Sequence, residues 1–414
     1  MTALHTIFWC CAIAVAYNYA GYPALLFCLS TLCQAKTDCQ YLLRRTNRRC
    51  SPSTNYFPRV AILVSAYNEE TVISAKVENT RELDYPNDRL EVWFGLDAPS
   101  DSTGELLKEA AGDRMRVVEF PHRRGKLAVL MDLARQTTAE IIVLTDANTM
   151  LDRQCVRNLV RHFRDPQVAA VSGEEIRKPV HKGDSGGESM YWRYESAIKI
   201  LESRLNCAQG GNGAALAMRR CLFEPEAGSI VEDFQIPLEL RFRGHRVVYD
   251  PEAIAIEEIT PNLSAQFARR VRIGAGNYQT LFRNPHYLNP CRGLLTFTFI
   301  SHRLLRWVTP LCLTVAFLCS FAMIRTTQFA IVFVIQCLFY SMAVMGYVLS
   351  KRARPISLFS LPLNFCSMNL ALLLGFWAYV TGRQGATWSA TPRASGLKEH
   401  IIQLDADSGV RPAA

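Results

Sequence analysis

Apolar and polar positions divide the chain into three stretches with different periods. Leu4 to Cys33 is largely apolar, has no charged side chain beyond His5, and is long enough to cross about 30 Å of hydrocarbon. It lacks a preceding basic flank and exceeds a signal peptide's apolar core, so it reads as an anchor. From Arg59 to about Asn284, short apolar runs alternate with polar, helix-like stretches. Val60–Ala66, Leu90–Leu96, Met115–Phe120, Ile141–Leu144 and Val168–Val171 have strand length. Lys126–Gln136, Asp152–Asp165, Tyr191–Leu205 and a segment opened by Glu232 and running to Arg243 predict helices. Strands that are near-continuously apolar and alternate with helices predict an α/β domain, its largely parallel sheet covered on both faces. Three further apolar runs, Leu304–Ile324, Gln328–Ser350 and Ile356–Thr381, predict membrane crossings, and the mixed segment His286–His302 predicts an interfacial helix. The predicted organisation is an anchor (1–35), a basic juxtamembrane linker (36–58), a cytosolic domain (59–284), an interfacial segment (285–303), transmembrane helices (304–381) and a tail (382–414).

Charge sharpens this division. The net charge is +9, yet the 140 residues from Ile259 to Lys398 hold no acid and 14 Lys or Arg, leaving the remainder at −5. Basic charge therefore belongs to the apolar region, which points to a membrane and away from nucleic acid. Lys36, Arg44, Arg45, Arg48 and Arg49 face a single acid, Asp38, which places the N-terminus outside and the following domain in the cytoplasm. Arg303 and Arg306, then Lys351, Arg352 and Arg354, read as further cytoplasmic clusters, with Arg325 alone in an outer turn. Four crossings leave the tail outside; an apolar segment lying in the interface would return it to the cytoplasm, and both arrangements stay open. The 14 cysteines show no CxxC and no zinc-type spacing with histidine, so they read as reduced thiols facing the cytosol. Asn364 and Asn369, inside the last apolar run, should face a neighbouring helix or a cavity.

Candidate chemistry gathers just past the predicted strand ends, where open α/β sheets bind ligands. Asn68, Asp97 and Asp146 all fall there, although each alone is equally at home as a helix cap. Asp146-Ala147-Asn148 offers a carboxylate and an amide to a divalent cation that also grips phosphates. Glu232 and Asp233 open a helix, where acids also favour the dipole. Gln266, Arg269 and Arg270 offer polar and cationic groups near the membrane, where headgroup contact is the plainer reading. Trp192 and Tyr194 suit a sugar ring or simple helix packing, and the spacing of Glu174 and Glu175 decides nothing.

The runs AYNEE, LDAPSDST, HRRGK, DAN, GGNGAALAMRR, VEDF and QFARR, followed by SHRLLRW and ATWSATPR, together resemble the membrane-integrated family 2 glycosyltransferases, the group of cellulose, chitin and hyaluronan synthases. The resemblance covers about Arg59 to Arg393. It implies a GT-A-type, Rossmann-like cytosolic domain inserted between one N-terminal and about three C-terminal transmembrane helices. It also implies a multi-pass protein of the bacterial inner (cytoplasmic) membrane using Mg²⁺ or Mn²⁺. Its partners would be a UDP-sugar donor, a glycan or lipid-linked acceptor, membrane lipids and further synthase or export chains.

By the same resemblance, Asp97 binds the uracil ring, with Tyr67, Asn68 and Glu69 in the nucleotide pocket. Lys126 contacts the diphosphate, Asp146 ligates the metal, and Asn148 reaches it through water. Asp233 is the general base with Glu232 beside it, Gln266, Arg269 and Arg270 close over the diphosphate, and Gly211, Gly213 and Ala214 lie against the acceptor. Such a carboxylate contributes about 10²–10⁴ in rate, and charge on the departing diphosphate calls for metal and cationic side chains. One carboxylate with in-line attack means inversion, an α-linked donor giving a β-linked product.

Three departures stand out: Arg270 holds the place of the usual tryptophan, Asn148 that of a second acid, and Ala98-Pro99 that of a glycine-serine turn. Arg270 favours addition of one or a few sugars over a long polymer. A catalytically silent nucleotide-sugar-binding subunit is the alternative, opposed by the retention of Asp97, Asp146 and Asp233. A transporter is disfavoured by four crossings without paired intramembrane acids.

Overall fold

The computed structural model describes residues 2–44, 56–111, 115–179, 186–259, 263–351 and 357–383. Arg45, Arg48, Arg49, Cys50, Arg352, Arg354 and the tail with its ATWSATPR run lie outside the described residues.

The N-terminal apolar run forms α1 (Thr2–Ala16), a π-helical turn (Tyr17–Gly21) and α2 (Tyr22–Arg44). Together they make a rod that continues past the expected anchor into the basic segment. The α/β domain follows as β1 (Val60–Ala66), α3 (Ile73–Arg81), β2 (Leu90–Asp97), α4 (Thr103–Ala110), β3 (Met115–Phe120), α5 (Lys126–Gln136), β4 (Ile141–Leu144), β5 (Thr149–Leu151) and α6 (Cys155–Val160). It continues through β6 (Val168–Pro179), α7 (Gly186–Arg204), β7 (Leu216–Arg219), α8 (Glu232–Phe242), β8 (Arg246–Ile259) and α9 (Leu263–Arg283). The apolar C-terminal part holds α10 (Leu294–Thr298), a π-turn (Phe299–Leu304), α11 (Leu305–Ala322), α12 (Thr327–Lys351) and α13 (Ser357–Val380).

The eight strands form one sheet in the order β3-β2-β1-β4-β7-β6-β8-β5. Strands β3, β2, β1 and β4 are parallel, as their continuous apolar runs predict. The other half is mixed: β7 runs antiparallel to β4 and β6, and β5 antiparallel to β8. The sheet is therefore less parallel than expected, with β5, β7 and β8 as additional strands. Alternate residues of β1 feed two cores. Val60, Ile62 and Val64 pack with α3, α4 and α6, whereas Ala61 and Leu63 pack with α5 and α8.

Strand β6 runs well past Val171, paired parallel to β8 through a register shift at Gly173/Glu174. A Cβ on Gly173 would lie 2.3 Å from the Ala253 carbonyl oxygen, so only glycine permits this bend. Helix α6 is shorter than the periodicity of Asp152–Asp165 predicts, because Arg161–Arg164 tightens into a 3₁₀ turn.

Among the described residues, four helical segments are long and apolar enough to cross a membrane: Thr2–Leu43, Leu294–Ala322, Thr327–Ser350 and Leu358–Val380. The second begins earlier than the sequence predicts, because α10, the π-turn and α11 run on continuously. The expected interfacial helix is instead two 3₁₀ turns, Pro285–Leu288 and Pro290–Arg292, joined to that helix. Tyr287 and Phe299 are fully buried, and the Tyr287 hydroxyl donates to Glu239 of α8 at 3.0 Å. Leu288, Leu294 and Phe297 of the same segment stay exposed. Helix α9 meets α13 backbone to backbone: a Cβ on Gly375 would lie 2.8 Å from the Ala275 nitrogen and the Val271 oxygen.

Candidate active site

The carboxyl ends of β1, β2 and β4 place Tyr67, Asn68, Asp97 and Asp146 along one edge of the sheet. Asp97, at the end of β2, is 2% exposed and accepts from the amides of Arg124 and Gly125 at 2.6 and 2.8 Å. Gly125 adopts φ +89, a conformation natural to glycine, and so brings Lys126 to the first turn of α5. Asn68 and Ala98 also have positive φ, +54 and +52, and Asn68 is tied to Ser100 by hydrogen bonds of 2.8 and 3.0 Å. The Arg123 guanidinium covers the Tyr67 ring at 3.9 Å. Ala98 stands where the sequence departs from the glycine-serine turn, and its backbone shows why glycine suits that place.

A cavity of about 820 Å³ opens beside this edge. It brings together Glu69, Lys126, Asp146, Asn148, Gly211, Gly213, Ala214, Glu232, Asp233, Gln266, Arg269 and Arg270. Tyr67, Asn68 and Asp97 sit at the strand tips but do not line it.

At its centre, Lys126 Nζ lies 2.7 Å from Asp146 Oδ1 and 3.0 Å from Glu232 Oε1. Burial opposes the Lys126 charge, but Asp146, Glu232 and Asp233 outweigh it and push its pKa up. Asp233 Oδ2 accepts from the Gly213 amide at 3.1 Å. Burial, then the neighbouring Glu232, raise the Asp233 carboxyl above its ordinary range despite Lys126. The glycine run serves close approach. A Cβ on Gly213 would lie 3.3 Å from Asp233 Oδ2, and one on Gly211 would lie 2.7 Å from the Asp233 carbonyl oxygen. Gly211 thus owes its size to the start of α8 as much as to the cavity.

Arg269 reaches from α9 to Glu257 of β8, with Nη1–Oε1 at 2.8 Å, and Asn148 Nδ2 donates to the same Oε1 at 2.9 Å. Burial alone would raise Glu257, but Arg269 and Arg177 hold it well below the usual carboxylate range. Burial pushes Glu175 up, against Arg177 and with the Glu257 charge. Arg270 extends towards α13, its Nη1 3.3 Å from Ser367 Oγ.

Glu257 and Lys76 are site residues that the sequence reading misses. Glu257 shares the buried face of β8 with Ala253 and Ala255, so an acid at an inward position is the signal that could have found it. Lys76 is wholly buried with Ile73, Val77 and Thr80 on α3. Its ammonium group donates to Thr145 Oγ1 at 3.2 Å and to the Thr149 carbonyl, stapling both ends of the Asp146–Asn148 loop. Burial lowers its pKa to about 7.

Of the ambivalent residues, Trp192 lines the cavity under Arg177 (4.2 Å), whereas the Tyr194 hydroxyl donates to the Tyr19 carbonyl at 3.1 Å. Glu175 lines the cavity, and Glu174 accepts from Ser196 at 2.7 Å. Asn364 also lines it, while Asn369 donates to the Phe365 carbonyl of its own helix.

Among the described residues no three His, Cys, Asp or Glu side chains gather in a metal cage. The donor set nevertheless fits Mg²⁺ or Mn²⁺, which need only one or two carboxylates when phosphate oxygens complete the shell. Asp146 keeps 28% of its side chain exposed, and the acids around it already hold one cation, the Lys126 ammonium group.

Part of this arrangement matches a known family. Residues 61–221 match the model of glycosyl transferase family 2. A beta-monoglucosyldiacylglycerol synthase of Trichormus variabilis is 30% identical over 234 residues, 54% of this chain and 49% of that protein. A poly-beta-1,6-N-acetyl-D-glucosamine synthase of Staphylococcus aureus is 25% identical over 250 residues, 58% of this chain and 59% of that protein. The chain thus spans about half the length of the curated relatives it matches. A mannosyltransferase of Pyrobaculum calidifontis, solved with GDP-Man and Mn²⁺, superposes with a TM-score of 0.66 at 20% identity, over 91% of this chain and 100% of that one. By this match, these relatives and this fold, residues 61–221 belong to a family 2 glycosyltransferase domain of GT-A architecture.

Proposed function

We propose that the chain transfers a sugar from a UDP-sugar, with inversion and a divalent metal, to a glycan or lipid-linked acceptor at the bacterial inner membrane, in exopolysaccharide or cell-surface glycan synthesis. The observation that carries this reading is the half-buried Asp233, raised in pKa and set beside Lys126 and Asp146 in a cavity that also touches α13. Asp233 takes the proton of an acceptor hydroxyl as its oxygen attacks the anomeric carbon. The new carbon–oxygen bond forms as the bond to the diphosphate breaks, and the nucleoside diphosphate leaves with the electron pair. Asp146, with Asn148 behind it, would hold a divalent metal, which would supply charge stabilisation to that leaving group. Lys126, Arg269 and Gln266 face the same phosphates, Asp97 holds the base-binding edge, and Glu257 with Lys76 keeps the Asp146–Asn148 loop and Arg269 in place.

The four apolar helices and membrane-lipid or polymer products named for the two relatives support the membrane setting, with the catalytic domain cytoplasmic and further synthase or export chains as partners. The test is UDP release by the purified full chain with Mg²⁺ or Mn²⁺, a panel of UDP-sugars and a membrane lipid extract. Release with one donor that disappears in Asp233→Asn is expected. Metal-dependent UDP binding with no release from any donor would favour a silent binding subunit.

A further inference from the structure

The same cavity continues past Asp233 to a second set of cations. Arg303 and Arg306 line it together with Trp307, Met368 and Leu372 of the apolar helices. Arg306 is 8% exposed, and its Nη1 is engaged by Glu195 and by the Tyr191 hydroxyl at 3.3 Å. Among the described residues, its buried Nε and Nη2 have no hydrogen-bond partner. Those two atoms form the guanidinium edge that grips an oxyanion with two parallel bonds. Arg303 has a buried Nε without a partner, and its guanidinium lies 5.1 Å over the ring of Phe234, the residue after Asp233. Trp192, also lining the cavity, has its indole N–H buried and unpartnered. Every one of these orphaned groups is a donor.

The acids within reach are already committed. Glu195 holds Arg306 and lies 3.5 Å from His302, while Glu202 accepts from Tyr22 at 2.7 Å and pairs with His302 at 2.8 Å. Buried donors without acceptors are costly, and they are retained where a ligand supplies the acceptor. Met368, Leu372 and Trp307 supply apolar walls beside the cations, which suits a ligand that is hydrocarbon at one end and anionic at the other.

We propose that Arg303 and Arg306 form an acceptor subsite for the phosphate group of a membrane lipid, which holds that lipid with a hydroxyl at Asp233. This rests on the transferase reading and narrows its acceptor to an anionic lipid. The phosphate is an anchor and takes no part in bond changes, which remain those at Asp233 and the anomeric carbon.

The experiment uses the full chain in uncharged detergent, with binding followed by the fluorescence of cavity tryptophans. The probes are phosphatidylglycerol (phosphate, hydroxyl and tail), diacylglycerol (hydroxyl and tail) and inorganic phosphate. Phosphatidylglycerol should bind about tenfold tighter than either of the others, the size of effect expected for charge-assisted hydrogen bonds. That preference should largely vanish in Arg303→Gln, while Mn²⁺-dependent UDP binding in the same sample stays intact. Arg303→Gln is the primary variant because Arg306 also holds Glu195; Arg306→Gln is informative once its UDP binding shows it folded. Equal binding of phosphatidylglycerol and diacylglycerol, or a preference unchanged in Arg303→Gln, overturns the subsite. Inorganic phosphate binding as tightly as the phospholipid overturns its lipid character. UDP binding without a phosphate preference removes the subsite and spares the transferase reading; a phosphate preference without UDP binding does the reverse.

Discussion

At the sheet edge, Lys126 is ringed by Asp146, Glu232 and Asp233; beside the apolar helices, Arg303 and Arg306 face fewer acids than they have hydrogen-bonding edges. The first region has an excess of negative charge and the second an excess of hydrogen-bond donors over acceptors, within one cavity. They are also built differently. The end of β4 and the first turn of α8 position the acids, whereas the arginines project from a helix continuous with an apolar span. The acid-rich end suits a cation that travels with a diphosphate, and the donor-rich end suits an anion that arrives without one. An enzyme that joins two substrates gains from such asymmetry, because an anion that arrives without a metal is repelled from the acid-rich end.

The comparison breaks most decisively at Asp233. Asp233→Asn should lower kcat by about 10²–10⁴ while leaving UDP affinity within about threefold; retained turnover would remove Asp233 as the base. The pH profile sharpens the point. A base must be ionised, so kcat/KM should fall as pH is lowered through the Asp233 pKa. Burial and Glu232 place that limb above the range of an ordinary carboxylate.

Asp146→Ala comes next. Metal-dependent UDP affinity should drop by about tenfold or more, with metal-independent affinity unchanged, as measured by titration with and without Mn²⁺. A smaller effect is expected where the two regions are joined. Gly375→Ala sets a Cβ against the α9 backbone and should cost about 1–3 kcal/mol, read as a lower Tm. A Tm equal to that of the wild type would show that the seam yields. The smallest change is a gain. Ala98→Gly relieves a left-handed conformation at the nucleotide edge and should stabilise the fold by about 1 kcal/mol in denaturant unfolding.

The two regions were unequally legible in the sequence. Strands β1, β2, β3 and β4 announce themselves because both faces are buried, which forces continuous apolar runs such as VAILVSA. Lys126 opens α5 as the periodicity predicts. In the outer half of β6, Glu174, Glu175 and Arg177 are polar because they meet a cavity and charged or polar neighbours, so no apolar run marks it. Strand β7 is short, and β5 shorter still, both paired antiparallel with strands distant in sequence, which a local pattern does not reveal. Glu257 and Lys76 were hidden for a related reason: a buried charge is recognisable only once its partners, distant in sequence, are in place. Arg303 and Arg306 show another limit. Beside an apolar run they read as a cytoplasmic cluster, and only the fold shows that they also line the cavity.

The glycine seam between α9 and α13 has a mechanical consequence. No layer of side chains lies between Gly274 and Gly375 to absorb sliding, so the two helices behave as one beam. Gln266, Arg269 and Arg270 ride on that beam. Movement that admits or releases a nucleotide therefore falls to the sheet and its loops, and a tilt of α13 is delivered to those three side chains without slack.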